Sequence, residues 1–139
     1  MKRIALYIII FIGLLVSCTQ NNGNIGPLFG KWQLREIQTE DNLTAYDSIF
    51  YNFQSNIVQL QHLNPYHGII SFPPLTGFFT HTADELVLDI RNCDTWYIQR
   101  YFYLPDTTVV FNIEELSNKK MNLRLDDGTV YRFRKFGPN

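Results

Sequence analysis

The sequence predicts an all-β protein, an antiparallel up-and-down barrel of about eight to ten short strands. Three observations predict it. Apolar residues recur at every second position through most of the chain after residue 28, turn-forming pairs interrupt these runs at short intervals, and no stretch carries a long 3.6-residue stripe. Successive side chains of a strand point to opposite faces, so this alternation puts one face in a core and the other in water. Closing the sheet removes its exposed edges, which favours a barrel over an open sheet.

The elements follow in order. Trp32 and Leu34 alternate with Gln33 and Arg35. Ile49, Tyr51 and Phe53 share one face, then Val58, Leu60 and His62, then Leu86, Leu88 and Ile90. Val109, Phe111 and Ile113, then Met121, Leu123 and Leu125, then Tyr131 and Phe133 complete the set. Ser55-Asn56, Asn64-Pro65, Pro73-Pro74, Ala83-Asp84, Pro105-Asp106, Ser117-Asn118 and Asp127-Gly128 separate the runs. Asp127-Gly128 is the clearest hairpin, because both residues tolerate positive φ.

The chain divides into residues 1–17, a secretory leader; 18–27, a tether; and 28–139, the barrel domain. Lys2 and Arg3 precede an apolar run from Ala5 to Val16. That run is too short to cross a bilayer, which takes about 20 residues, and its flanks are those of a cleavable signal. Leu15-Val16-Ser17-Cys18 resembles the bacterial lipobox. The resemblance implies cleavage before Cys18, lipidation of its thiol and anchoring to a membrane by acyl chains. Thr19 and Gln20 are not acidic, so the expectation is the outer membrane, with its periplasmic and outward-facing sides both open. The polar, Gly-containing stretch from Thr19 to Pro27 reaches at most about 30 Å. Without Lys2 and Arg3 the chain carries 10 basic and 13 acidic side chains. That balance argues against nucleic acid as a partner. With Cys18 lipidated, Cys93 has no thiol left to pair with and reads as a small apolar residue.

Two segments carry a resemblance to a family. Phe29-Gly30-Lys31-Trp32-Gln33-Leu34 resembles the Gly-x-Trp opening of lipocalin-like domains. The stretch from Phe111 through Leu123-Arg124-Leu125 to Tyr131-Arg132-Phe133-Arg134-Lys135-Phe136 is similar to the end of small lipocalin-like lipoproteins of Gram-negative gut bacteria. The resemblance implies that Trp32 plugs the closed end of a lipocalin-like barrel and that a basic side chain of the last strand packs over its ring. Arg134 is the expected residue. The resemblance covers residues 40–105 only in outline, and the chain is shorter than secreted lipocalins and lacks their disulfide.

Enzymatic signals are absent: there is no Gly-x-Ser-x-Gly, Cys-x-x-Cys or His-Glu-x-x-His. The expectation is a non-enzyme without a cofactor. His62, His67 and His81 match no metal-ligand spacing, so no metal is expected. The excess lies in aromatics, with eight Tyr, eleven Phe and two Trp. Either they fill the barrel, or part of the set lines a pocket for a small apolar ligand, since a barrel of eight strands can do either. For the pocket, the candidates are His62, Trp96, Tyr101 and Tyr103, with Ser71 as a further polar group. The alternative function is binding of an envelope protein by a filled barrel, through Asn64-Pro65-Tyr66-His67 and the run from Pro73 to Phe79. Both readings expect a monomer. Finally, Asp47-Ser48-Ile49 and Asp106-Thr107-Thr108 resemble an O-glycosylation site of exported bacterial proteins, which makes Ser48 and Thr107 candidates for modification.

Overall fold

The structure, a computed structural model, describes residues 26–63 and 73–137. Cys18, most of the 18–27 tether, the Asn64–His67 turn and Ser71 lie outside the described residues. Among the described residues, nine strands and one helix follow in order: β1 (Gly30–Gln38), β2 (Leu43–Ala45), β3 (Ile49–Gln54), β4 (Ile57–His62), β5 (Leu75–His81), β6 (Glu85–Asp89), α1 (Thr95–Phe102), β7 (Thr108–Leu116), β8 (Lys120–Arg124) and β9 (Val130–Phe136).

Every strand pairing is antiparallel, and β1 pairs with β9 to close the sheet on itself. The result is an eight-stranded barrel with β2 as an extra strand. β2 runs along the same edge of β1 as β3, with Glu36 opposite Ala45 and Gln33 opposite Phe50. Tyr46–Ser48 form the kink between them, where the Tyr46 N–H donates to Arg35 O at 2.8 Å. The kink faces a register shift between Leu34 and Glu36 on the β1–β9 side, so β1 bends at Arg35.

The alternation read from the sequence is the inside of the barrel. Trp32, Leu34, Ile49, Tyr51, Phe53, Val58, Leu60, Leu86, Leu88, Phe111, Met121 and Leu123 are buried in one core. The β3–β4 turn is Ser55-Asn56, with Ser55 at φ +56°, and the β8–β9 hairpin turns at Gly128, φ +91°. α1 departs from the expectation. The sequence shows no long helical stripe because this helix is eight residues long and only Ile98 and Phe102, four apart, turn inward. Both are fully buried, as is Leu104 just after the helix. α1 lies between β6 and β7, at the end of the barrel where β4 finishes and β9 begins.

At the opposite end the chain enters. Trp32 is fully buried, and its indole N–H donates to Leu28 O at 2.7 Å. The basic side chain over its ring is Lys135, with Nζ 4.4 Å from the ring centroid. Arg134, the expected residue, points outward and is exposed. The reason is strand parity: Tyr131, Phe133 and Lys135 share the inner face, whereas Arg132 and Arg134 share the outer one. Lys135 Nζ also donates to Pro27 O at 2.9 Å and to Phe29 O. Gly30 completes the lock. Its φ is +110°, and a Cβ there would lie 3.2 Å from Cε and Nζ of Lys135.

Candidate functional site

The four pocket candidates all fall at the helix-bearing end, but not around one cavity. His62 ends β4 on the inner face, and its ring lies 6.2 Å from that of Phe102. Burial pushes its imidazole below the usual value, and a backbone hydrogen bond with Tyr101 offsets part of that shift. His62 and Tyr101 therefore meet beneath α1. Trp96 lies on the outer side of the helix, 62% exposed. Its ring makes an edge contact with Tyr97 at 5.9 Å and with Tyr101 at 6.3 Å, and Tyr97 packs on Tyr101 at 4.9 Å. Tyr103 lies apart from these three.

Tyr103 ends the helix with φ +56°, a left-handed conformation that turns the chain back over the barrel rim. Its ring packs against Tyr46 with centroids 4.8 Å apart. Its carbonyl accepts a hydrogen bond of 2.6 Å from the Tyr131 hydroxyl. Gln99 Nε2 donates to Pro105 O at 2.7 Å and holds the turn after the helix. These contacts frame an open cleft of about 390 Å³ between β1, β2, the end of α1 and the β8–β9 hairpin. Ile37, Leu104, Leu125 and Tyr131 form an apolar floor, with Tyr46 and Tyr103 as an aromatic wall. Thr39, Asn42, Thr44, Gln99, Asp127 and Thr129 supply the polar rim. Burial, with the Asp127 charge nearby, pushes the Tyr131 phenol far above its usual value, so it is a neutral donor at any physiological pH.

Sequence reasoning found Tyr103 among the cleft residues and missed Tyr46, Ile37, Leu104 and Tyr131. No local spacing unites these residues, because they come from four separate segments. Ser48 and Thr107, the glycosylation candidates, are half-buried turn residues at this same end. Asp106 Oδ1 accepts the Thr107 N–H at 2.7 Å, a local side-chain-to-backbone bond within the turn. Cys93 is half-buried, and burial pushes its thiol up, as suits a packing residue. Among the described residues, no three His, Cys, Asp or Glu side chains gather to hold a metal ion.

An eight-stranded antiparallel barrel with Gly-x-Trp locked at one end and a helix over the other has lipocalin-like architecture. A family model described as a lipocalin-like domain matches residues 13–136, and the chain belongs to that family. Two solved structures are similar over most of the chain. A lipocalin-like protein from Bacteroides uniformis is 31% identical, with a TM-score of 0.69, covering 80% of this chain and 100% of its own. An uncharacterized protein from Bacteroides eggerthii is 30% identical, with a TM-score of 0.66, covering 78% of this chain and 98% of its own. No curated protein matches the chain.

Proposed function

We propose that this protein is an outer-membrane lipoprotein, anchored through acyl chains on Cys18, that binds a small apolar ligand in a cleft at the helix-bearing end of its barrel. The observation that carries the ligand reading is the Tyr46–Tyr103 wall over an apolar floor, beneath a rim of hydroxyl and amide groups. Binding sites for small molecules are typically apolar hollows with a few orienting polar groups. The site is the cleft outside the packed barrel, because α1 seats Ile98 and Phe102 in the barrel mouth. The expected ligand is flat and apolar, with one hydrogen-bonding group for the rim. The leader sequence supports the anchor, and more than one acyl chain is needed for stable attachment. The protein acts as a monomeric binding module and not as an enzyme. Glycans on Ser48 and Thr107 would flank the same end.

The full chain purified from a bacterial envelope tests this. Its intact mass should carry lipid on an N-terminal Cys18. An apolar fluorescent probe should bind at about one per chain and raise the melting temperature. Saturation at 100 times Kd adds about 2.7 kcal/mol. Tyr103→Ala should weaken probe binding, whereas Trp96→Ala should leave it unchanged. If Trp96→Ala alone weakens it, the site is on the helix face and not in the cleft.

A second reading rests on the exposed Trp96 and its contacts with Tyr97 and Tyr101. Aromatic side chains of this kind anchor protein interfaces, and an envelope protein would dock against α1. Loss of a co-purifying partner on Trp96→Ala, with no probe shift in the wild type, would favour it.

A further inference from the structure

The tethered end of the barrel carries cations that play no part in the proposed ligand site. Lys119 and Lys120 sit on and just after the β7–β8 turn, where Ser117 Oγ accepts both of their backbone N–H groups, at 3.2 and 3.0 Å. The Lys135 N–H donates to Lys119 O at 2.9 Å while its Nζ holds Pro27 O. The basic turn therefore adjoins the point where the chain enters the barrel. Arg35 and Arg134 share an open groove of about 540 Å³ with Lys119 and Lys120 on the outer face of β1, β9 and β8. With Arg132, five basic side chains line that groove against two acidic ones. Glu36 pairs with Arg132 at 3.7 Å, and Glu115 accepts a hydrogen bond from Asn122 Nδ2 at 2.8 Å. Among the described residues, Lys119, Lys120, Arg35 and Arg134 make no salt bridge.

Beside them lies an aromatic. Phe136 is 48% exposed, with Phe50 packed on it at 4.9 Å and Lys31 Nζ 5.4 Å from its ring. The opposite end has the opposite sign. Glu40, Asp41, Asp94, Asp106, Asp126 and Asp127 are all exposed there and outnumber the basic Arg91, which pairs with Asp89, and Arg100. Asp84 and Glu85, on the β5–β6 turn, are at the tethered end but across the barrel from the groove.

We infer that this basic face, with Phe136 at its edge, docks on the anionic phospholipid headgroups of the membrane that holds the tether. The proposal rests on the anchor reading for its proximity and on the charge pattern for its orientation. Basic side chains near an anionic surface add attraction that decays within a Debye length, and the apolar ring of Phe136 can bury at the boundary between headgroups and acyl chains. Docking there turns the acidic end, and the cleft with it, away from the bilayer.

Hydrogen exchange on the full chain in vesicles tests the face. In vesicles with about one third phosphatidylglycerol, the amides of 117–120 and 134–137 should exchange about tenfold more slowly than in phosphatidylcholine alone. The slowing should vanish at high salt, and the amides of 126–129 should be unaffected. Lys119→Glu/Lys120→Glu should restore the phosphatidylcholine rates. Both side chains are exposed, Lys119 on the turn and Lys120 at the start of β8, so the fold should survive, which an unchanged melting temperature checks. Equal rates in the two lipids, or slowing at 126–129, would overturn the proposal. So would the same slowing with inorganic phosphate in place of vesicles. Retention on phosphatidylcholine vesicles reads the anchor separately. A chain lost there but held by anionic vesicles keeps the face and loses the anchor. A chain held equally on both, with no exchange difference, keeps the anchor and loses the face.

Discussion

The two ends of the barrel are built on opposite terms. At the tethered end, a few residues lock one another in place. Trp32 fills the barrel, Leu28 O takes its indole N–H, Lys135 covers its ring and ties down Pro27 and Phe29, and Gly30 leaves room for the lysine. At the helix-bearing end, β1, β2, α1 and the β8–β9 hairpin meet around an open cleft. Substitution at the first end strikes the fold, whereas at the second the exposed side chains, Trp96 and Tyr103 among them, can change with little effect on the core beneath. The difference teaches where to look for function: at the end whose side chains the fold does not already use.

The largest expected effect breaks the lock. Trp32→Ala should cost about 3–5 kcal/mol in chemical denaturation, as for other buried large-to-small changes. If it costs under 1 kcal/mol, the two ends do not differ as described. Next, Lys135→Ala should cost about 2 kcal/mol, because it leaves two carbonyls short of a donor and removes the cation from the Trp32 ring. Arg134→Ala should fall within about 0.5 kcal/mol of wild type, as an exposed surface change. Equal losses in the two variants would put the lock elsewhere.

The third test is alkaline pH. Burial raises the phenols of Tyr51, beside Trp32's half of the barrel, and Tyr131, in the cleft floor, well above the usual value of 10.0. The folded chain keeps both protonated where the unfolded chain ionises. The stability they contribute is therefore whole below pH 10 and falls above it, by about 1.4 kcal/mol per pH unit for each phenol. Lys135 opposes this. Its lowered value means the unfolded chain holds the proton longer, so its own contribution rises with pH. Tyr131→Phe should reduce the alkaline slope and Lys135→Met should steepen it, as read by thermal melts between pH 9 and 11. A flat profile would mean that neither phenol is shielded. Trp96→Ala should likewise have a small effect, shifting stability by less than about 1 kcal/mol because most of the ring is already in water.

Much of the barrel was legible because strand parity is a local signal. Val58 and Leu60, or Leu86 and Leu88, declare their shared face within a few residues, and their burial follows. Parity also held the correct lysine: Lys135 falls in step with Tyr131 and Phe133, whereas Arg134, the expected residue, falls on the opposite face. The helix was not legible. Trp96, Tyr97, Ile98, Tyr101 and Phe102 are residue types that favour strands, and two inward positions in eight residues set up no period. The cleft was less legible still. Tyr46 meets Tyr103 only because β1 bends at Arg35 and the helix ends in a left-handed residue, and neither event leaves a trace in local spacing.

The β1–β9 seam has a consequence in time as well as in space. It joins the first strand of the barrel to the last, so the cylinder cannot shut until the C-terminal strand has arrived. Pairings between segments so far apart along the chain make folding slow, because a large loop must be closed before the contacts form. Until then β1 has an unpaired edge and Trp32 lacks its lysine. A chain cut before Val130 would therefore keep eight of its nine strands and still remain an open, sticky sheet.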